Sequence, residues 1–98
     1  MLTGKQRSYL RGLGHHLAPI VQIGKEGLTE GVTAAASAAL EDHELIKVKI
    51  GEHVDEDRHD LGLALSVDTN AELVQVLGRT FLLYRAREEE PEIQLPKA

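Results

Sequence analysis

The sequence predicts an α/β (α+β) two-layer domain, with helices packed on a mixed four-stranded sheet in the order helix, strand, helix, strand, helix, strand, strand. Three observations lead there. Thr3 and Thr29 stand as caps before stretches with helical apolar spacing. Ile46-Lys47-Val48-Lys49-Ile50 alternates with the period of a strand. Two further apolar runs, 73–77 and 80–85, flank Gly78-Arg79, which suits a hairpin turn.

In chain order, the first helix runs from Thr3 to about residue 17. Leu10, Leu13 and Leu17 form an apolar stripe on it, while Arg7, Arg11 and His15, each four residues apart, line a different face. Gly12 and Gly14 weaken its end and Pro19 stops it. Ile20-Val21-Gln22-Ile23 reads as a short buried strand, and Gly24-Lys25-Glu26-Gly27 as a tight loop. The second helix extends to about His43, with Val32, Ala35, Ala36, Ala39 and Leu40 as its apolar side; so many alanines imply close packing on a sheet. The alternating strand follows, with one apolar face and one lysine face. Residues 51–60 are acidic and loop-like, and Asp55 or Asp57 can cap a third helix. The next stretch fits two periods. Leu61, Leu63, Leu65 and Val67 alternate as in a strand, yet Leu61, Ala64 and Leu65 also fit a helix, and Gly62 weakens both readings. A polar tail begins at about residue 87, in which Ile93 and Leu95 are the groups able to dock.

A chain of 98 residues reads as one domain over 1–98. A domain of this size buries only roughly 60–65% of its unfolded surface, so a shallow binding surface is expected in preference to an enclosed active site. No apolar run is long enough for a membrane span and none near the start reads as a secretory signal. With no cysteine, disulfides and thiolate metal sites are excluded, which fits a cytoplasmic protein. The net charge of −5 is unevenly placed. Residues 1–25 carry Lys5, Arg7, Arg11 and Lys25 and no acid, whereas the other seven bases share the rest of the chain with all 16 acids. Such a dipolar chain can turn one face toward phosphate, although the same bases also fit an ordinary solvated helix.

Gly24-Lys25-Glu26-Gly27 is a Gly-x-x-Gly loop between a strand and a helix. Glycines permit close backbone approach, and the following helix would aim free N–H groups at the same place. KH domains clamp nucleic-acid backbone with a similar loop. Many strand-to-helix turns contain two glycines for structural reasons alone, and Glu26 repels phosphate unless it points away. The spacing and the Lys-Ser/Thr pair of a Walker loop are missing. Lys47 and Lys49 share a strand face, while Arg79 at the hairpin tip and Arg85 could extend a basic surface. Tyr84 could stack on a base, but Tyr9, Phe81 and Tyr84 are the only aromatics, which favours recognition of backbone and shape over sequence. His15 and His16 face apart on a helix. His53 and His59 lie near Asp55, Asp57 and Asp60 without a familiar zinc spacing, so neither metal nor cofactor is expected. No catalytic set is visible, and Glu88-Glu89-Glu90 reads as a solvated run.

Several segments together resemble the YhbY family, the bacterial stand-alone form of the CRM domain (chloroplast RNA splicing and ribosome maturation). They are Leu13-Gly14-His15-His16-Leu17 with Pro19-Ile20-Val21-Gln22-Ile23-Gly24, then Gly27-Leu28-Thr29-Glu30-Gly31-Val32, then His43-Glu44-Leu45-Ile46-Lys47-Val48-Lys49-Ile50. Gln75-Val76-Leu77-Gly78-Arg79-Thr80 with Leu83-Tyr84-Arg85 and Ile93-Gln94-Leu95-Pro96 complete them. The resemblance implies a fold similar to the C-terminal domain of translation initiation factor three, a helix near residues 61–67, and binding to ribosomal RNA in precursors of the large subunit. The expected RNA-binding residues are Lys5, Arg7, Arg11, His15, Gly24, Lys25, Glu26, Gly27, Lys47, Lys49, Arg79 and Arg85. The alternative is a protein–protein module whose acidic residues 52–60 and 88–92 contact basic ribosomal proteins.

Overall fold

Capping chemistry sets where the helices begin. In the computed structural model, which describes all 98 residues, Thr3 and Gln6 exchange side-chain bonds with each other's backbone N–H at 3.2 and 3.1 Å and open α1 (Gly4–Gly14). Thr29 Oγ1 accepts from Val32 N at the start of α2 (Glu30–His43). Of the two candidate caps for the third helix, Asp57 serves: its carboxylate accepts from Asp60 N at 3.0 Å, opening α3 (Arg58–Asp68). The strands are β1 (Val21–Ile23), β2 (Leu45–Ile50), β3 (Glu72–Leu77) and β4 (Thr80–Tyr84).

They form one sheet in the order β1-β2-β4-β3, with β1 parallel to β2 and the other pairs antiparallel. The parallel pair needs a crossover, and α2 supplies it. The predicted order of elements and the mixed four-stranded sheet are both present. A layer made of α2 and α3 covers one sheet face. Between them lies the main core, built on Val21, Ile23, Ile46, Val48, Ile50, Phe81 and Leu83, with Ala36 and Leu40 from α2 and Leu61 and Leu65 from α3. The period that wins at residues 58–68 is helical. Gly62 is there because α3 lies so close to the sheet that a Cβ would sit 2.9 Å from Leu73 Cδ1 and 3.5 Å from Phe81 Cγ.

The opposite face is only partly covered, by α1 and the tail. Leu2 and Leu10 pack there on Leu45, Val74, Leu82 and Tyr84, with Ile93 and Leu95 added from the tail. The helix stops at Gly14, three residues short of the sequence expectation: His15 N still donates to Arg11 O, but Leu17 N turns back to Gly14 O at 3.1 Å ahead of Pro19. The predicted leucine stripe is correspondingly shortened. Leu10 is fully buried, whereas Leu13 and Leu17 remain 39% and 37% exposed.

The tail is tied down by one residue. Glu44 ends α2 with φ 64°, is 1% exposed, and accepts backbone N–H bonds from Arg87, Glu92 and Ile93 at 2.7–2.9 Å. Burial works to raise its pKa, but these three donors and the Arg87 charge outweigh it and hold the carboxyl below its ordinary value.

Candidate nucleic-acid interface

The uncovered part of the sheet is the candidate site, and strand register composes it. Side chains alternate across a sheet, so Lys47 and Lys49 face away from the main core. Pairing sets Gln22 beside Lys49, Lys49 beside Thr80, and Thr80 beside Leu77, one row across all four strands. The adjacent row brings Lys47, Leu82 and Gln75 together, with Leu82 lying under Gly14. A shallow cleft lined by His15, Lys47, Gln75, Leu77 and Thr80 joins the end of α1 to this face, and no carboxylate lines it. Lys49 is exposed and Lys47 half-buried. Gln22, Gln75 and Thr80 were missed in the sequence. The alternation of Val21-Gln22-Ile23 could have signalled the first; the others depend on cross-strand register, which one strand alone does not reveal.

The Gly24–Gly27 loop closes the end of the same face. Gly27 N donates to Gly24 O at 2.9 Å and Gly27 takes φ 77°, a conformation open to glycine at little cost. Lys25 and Glu26 are exposed at its tip. Two features of the surroundings bear on the loop. Leu28 and Thr29 separate it from α2, whose first turn carries Glu30 and spends the Val32 N–H on the Thr29 cap. Its flank is also acidic, since Glu56 Oε1 lies 2.9 Å from where a Cβ on Gly27 would stand.

The arginines divide by role. Arg11, like His15 and Lys5, is exposed. Arg7 is not a free member of that stripe: it is half-buried and donates to the carbonyls of Leu73 and Val74 at 2.6 and 3.0 Å, fastening α1 to β3. Arg79 donates to Ile50 O at 3.2 Å and to Gly51 O, holding the hairpin tip to the end of β2. Arg85 lies half-buried at the other end of β4, bonded to Ser37 O and Thr69 O at 2.9 and 2.8 Å. These three position the framework through carbonyl acceptors that a sequence does not display. Tyr84 is also withdrawn: it is 7% exposed, and burial first, then the charges of Glu44 and Glu72, raise its pKa. With Phe81 buried too, Tyr9 alone of the three Phe and Tyr rings stays accessible.

Asp57, His59 and Asp60 each bring one ligand atom within 4.8 Å of the others, all exposed, and His53 is not among them. Asp57 is already engaged as the cap of α3. Three open groups make a poor ligand set, and micromolar zinc is expected to leave the melting temperature unchanged. A rise of several degrees that disappears in His59→Ala would establish a site. No helix is long and apolar enough to cross a membrane.

Comparison with known proteins bears on the whole of this arrangement. A Haemophilus influenzae protein named "RNA-binding protein" is 46% identical over 96 residues, which cover 98% of this chain and 96% of that protein. The Bacillus subtilis protein named "Probable RNA-binding protein YqeI" is 43% identical over 96 residues, 98% of this chain and all of that one. The solution structure of a Staphylococcus aureus protein matches with a TM-score of 0.84 at 46% identity, covering 98% of this chain and all of that protein. Residues 2–85, from the cap of α1 to the end of β4, match the CRS1/YhbY (CRM) domain. With that match running through the sheet, the glycine loop and α1, the chain belongs to the CRS1/YhbY (CRM) domain family.

Proposed function

We propose that this chain binds RNA, that its target is ribosomal RNA in precursors of the large subunit, and that it acts in the cytoplasm by holding or masking that RNA without catalysing a reaction. The observation that carries the reading is the cleft that joins His15 to Lys47 on the sheet face and has no carboxylate in its lining, in a chain with a net charge of −5. The names of the relatives support its first part. Lys25 on the glycine loop, Arg11, His15 and Lys5 on or beside α1, and Lys47 and Lys49 on the sheet are the groups assigned to phosphate. Gly24 and Gly27 let the backbone approach, Glu26 points from the loop tip to solvent, and Arg7, Arg79 and Arg85 hold the surfaces in place. A surface with so few accessible rings suits duplex or folded RNA read through its backbone.

The test is binding to protein-free large-subunit ribosomal RNA as a function of salt. Affinity should fall steeply, because each neutralised phosphate releases counterions. Lys25→Ala should change stability by less than about 0.5 kcal/mol and reduce the salt slope by about one, as expected for one lost phosphate contact. Binding insensitive to salt would transfer the function to the acidic surface of residues 52–60 and 88–92 and a basic protein partner.

A further inference from the structure

Leu13, Leu17 and Ile20 are apolar, and 39%, 37% and 52% of each stays exposed. The cause is local. The chain leaves α1 at Gly14 and rejoins the sheet where Ile20 N donates to Lys47 O at 3.1 Å. β1 then pairs only with Val48, Lys49 and Ile50, leaving Leu45, Ile46 and Lys47 without a β1 partner. The gap is an apolar groove of about 390 Å3, floored by Leu45 and Ile46 and walled by Ile93 of the tail. That volume falls within the range of about 300–1,000 Å3 typical of small-molecule sites. Large apolar groups left exposed around one concavity mark a place where something binds.

We propose that this groove is a subsite for an unpaired nucleobase of the bound RNA; this rests on the RNA-binding reading above. Charge selects the occupant. Lys47 lines both the groove and the adjoining sheet cleft, and no carboxylate lines either. Three other surface depressions are lined by Glu41, Glu88 and Glu89, by Glu30 and Asp68, or by Asp55, Glu56 and Asp57. On an acidic chain, this apolar groove therefore has a cation and no carboxylate in its lining, and the nearby Glu44 carboxylate is buried and taken up by the tail's backbone N–H groups. A nucleotide presents the matching pair of groups: its phosphate reaches Lys47 and its base fills the groove. His43 on the groove wall offers a donor and an acceptor to a base edge. Paired bases are locked in their stack, so only a bulged, looped or terminal nucleotide can enter.

The experiment compares two RNA hairpins that differ only in a short bulge of unpaired adenosines. The intact protein should bind the bulged hairpin about tenfold more tightly, a difference of about 1.4 kcal/mol. Leu17→Ser, and independently Ile20→Ser, should abolish that preference while leaving affinity for the paired hairpin and its salt slope unchanged. A 2-aminopurine placed in the bulge should change fluorescence on binding the intact protein and not on binding either variant. Equal binding of both hairpins by the intact protein, or a preference that survives both substitutions, overturns the subsite and leaves RNA binding standing. A dimer of the intact protein that Leu17→Ser dissolves, with no change in RNA preference, assigns the groove to a second copy of the chain and likewise overturns it. Failure to bind either hairpin or ribosomal RNA defeats the RNA-binding reading itself.

Discussion

Reversing Lys25 and Lys49 to glutamate together should lower affinity for ribosomal RNA about a hundredfold, roughly a factor of ten for each attraction turned into a repulsion. The two side chains are exposed and engaged in no ion pair, one at the loop tip and one in the row Gln22, Lys49, Thr80, Leu77. Substitutions at such positions leave stability within about 0.5 kcal/mol, so an intact circular dichroism spectrum and denaturation midpoint should accompany the loss. The slope of log affinity against log salt should shrink by about two. Unchanged affinity in the folded double variant would remove the sheet face and the loop from the interface. Arg7 is the wrong choice for such a test. Its guanidinium bonds to the carbonyls of Leu73 and Val74, so its reversal would loosen α1 from the sheet and confuse folding with binding.

Glu44→Ala should be among the most destabilising substitutions in the chain, at roughly 2–4 kcal/mol, because it strands buried N–H donors and frees a docked segment. Three backbone donors of the tail converge on this one carboxylate, and Ile93 and Leu95 are partly buried on the second core because of it. In a domain whose whole stability is on the order of 5–15 kcal/mol, that is a large share. Chemical denaturation reads the loss, and faster proteolysis beyond residue 86 reads the release of the tail. Acid should act in the same direction. The folded carboxyl has a lowered pKa. Its contribution is therefore complete above the unfolded value of about 4.3 and disappears as pH falls below it. Glu44→Gln keeps an acceptor but turns an amide donor toward other donors, so it should lose stability at neutral pH and show a flatter acid limb. Matching acid limbs for the two proteins would show that the carboxylate does not hold the tail.

Local chemistry made much of the fold legible. Thr29 and the alanine side of α2 located that helix, and alternation located β2 together with its lysine face. The end of α1 was misjudged because Leu13 and Leu17 keep helical spacing. Spacing cannot tell that Leu17 N would turn back to Gly14 and leave both leucines around a groove. Residues 61–67 were ambiguous because Gly62 looks like a defect in either period. Its purpose becomes visible only with Leu73 and Phe81 against it. At the site, single charged side chains were legible as candidates but their engagement was not. Arg7, Arg79 and Arg85 reach carbonyls 16 to 67 residues away, and Glu44, one more acid after a helix, gave no sign of being buried.

Arg7 also bears on how the protein survives at high concentration. β3 is the last strand of the sheet, and a bare strand edge is a template on which other chains can add, the first step toward aggregation. Here the register breaks between Leu73 and Gln75, and at that break the Leu73 and Val74 carbonyls are taken up by the guanidinium of Arg7. In the turn that follows β3, Arg58 takes the carbonyl of Gly78 at 2.7 Å. One cation thus stands on the strand and another at its end, and the irregular backbone works against a long, flat match. What fastens a helix in the single molecule is thus also the kind of device that blunts a strand edge against pairing with a second molecule.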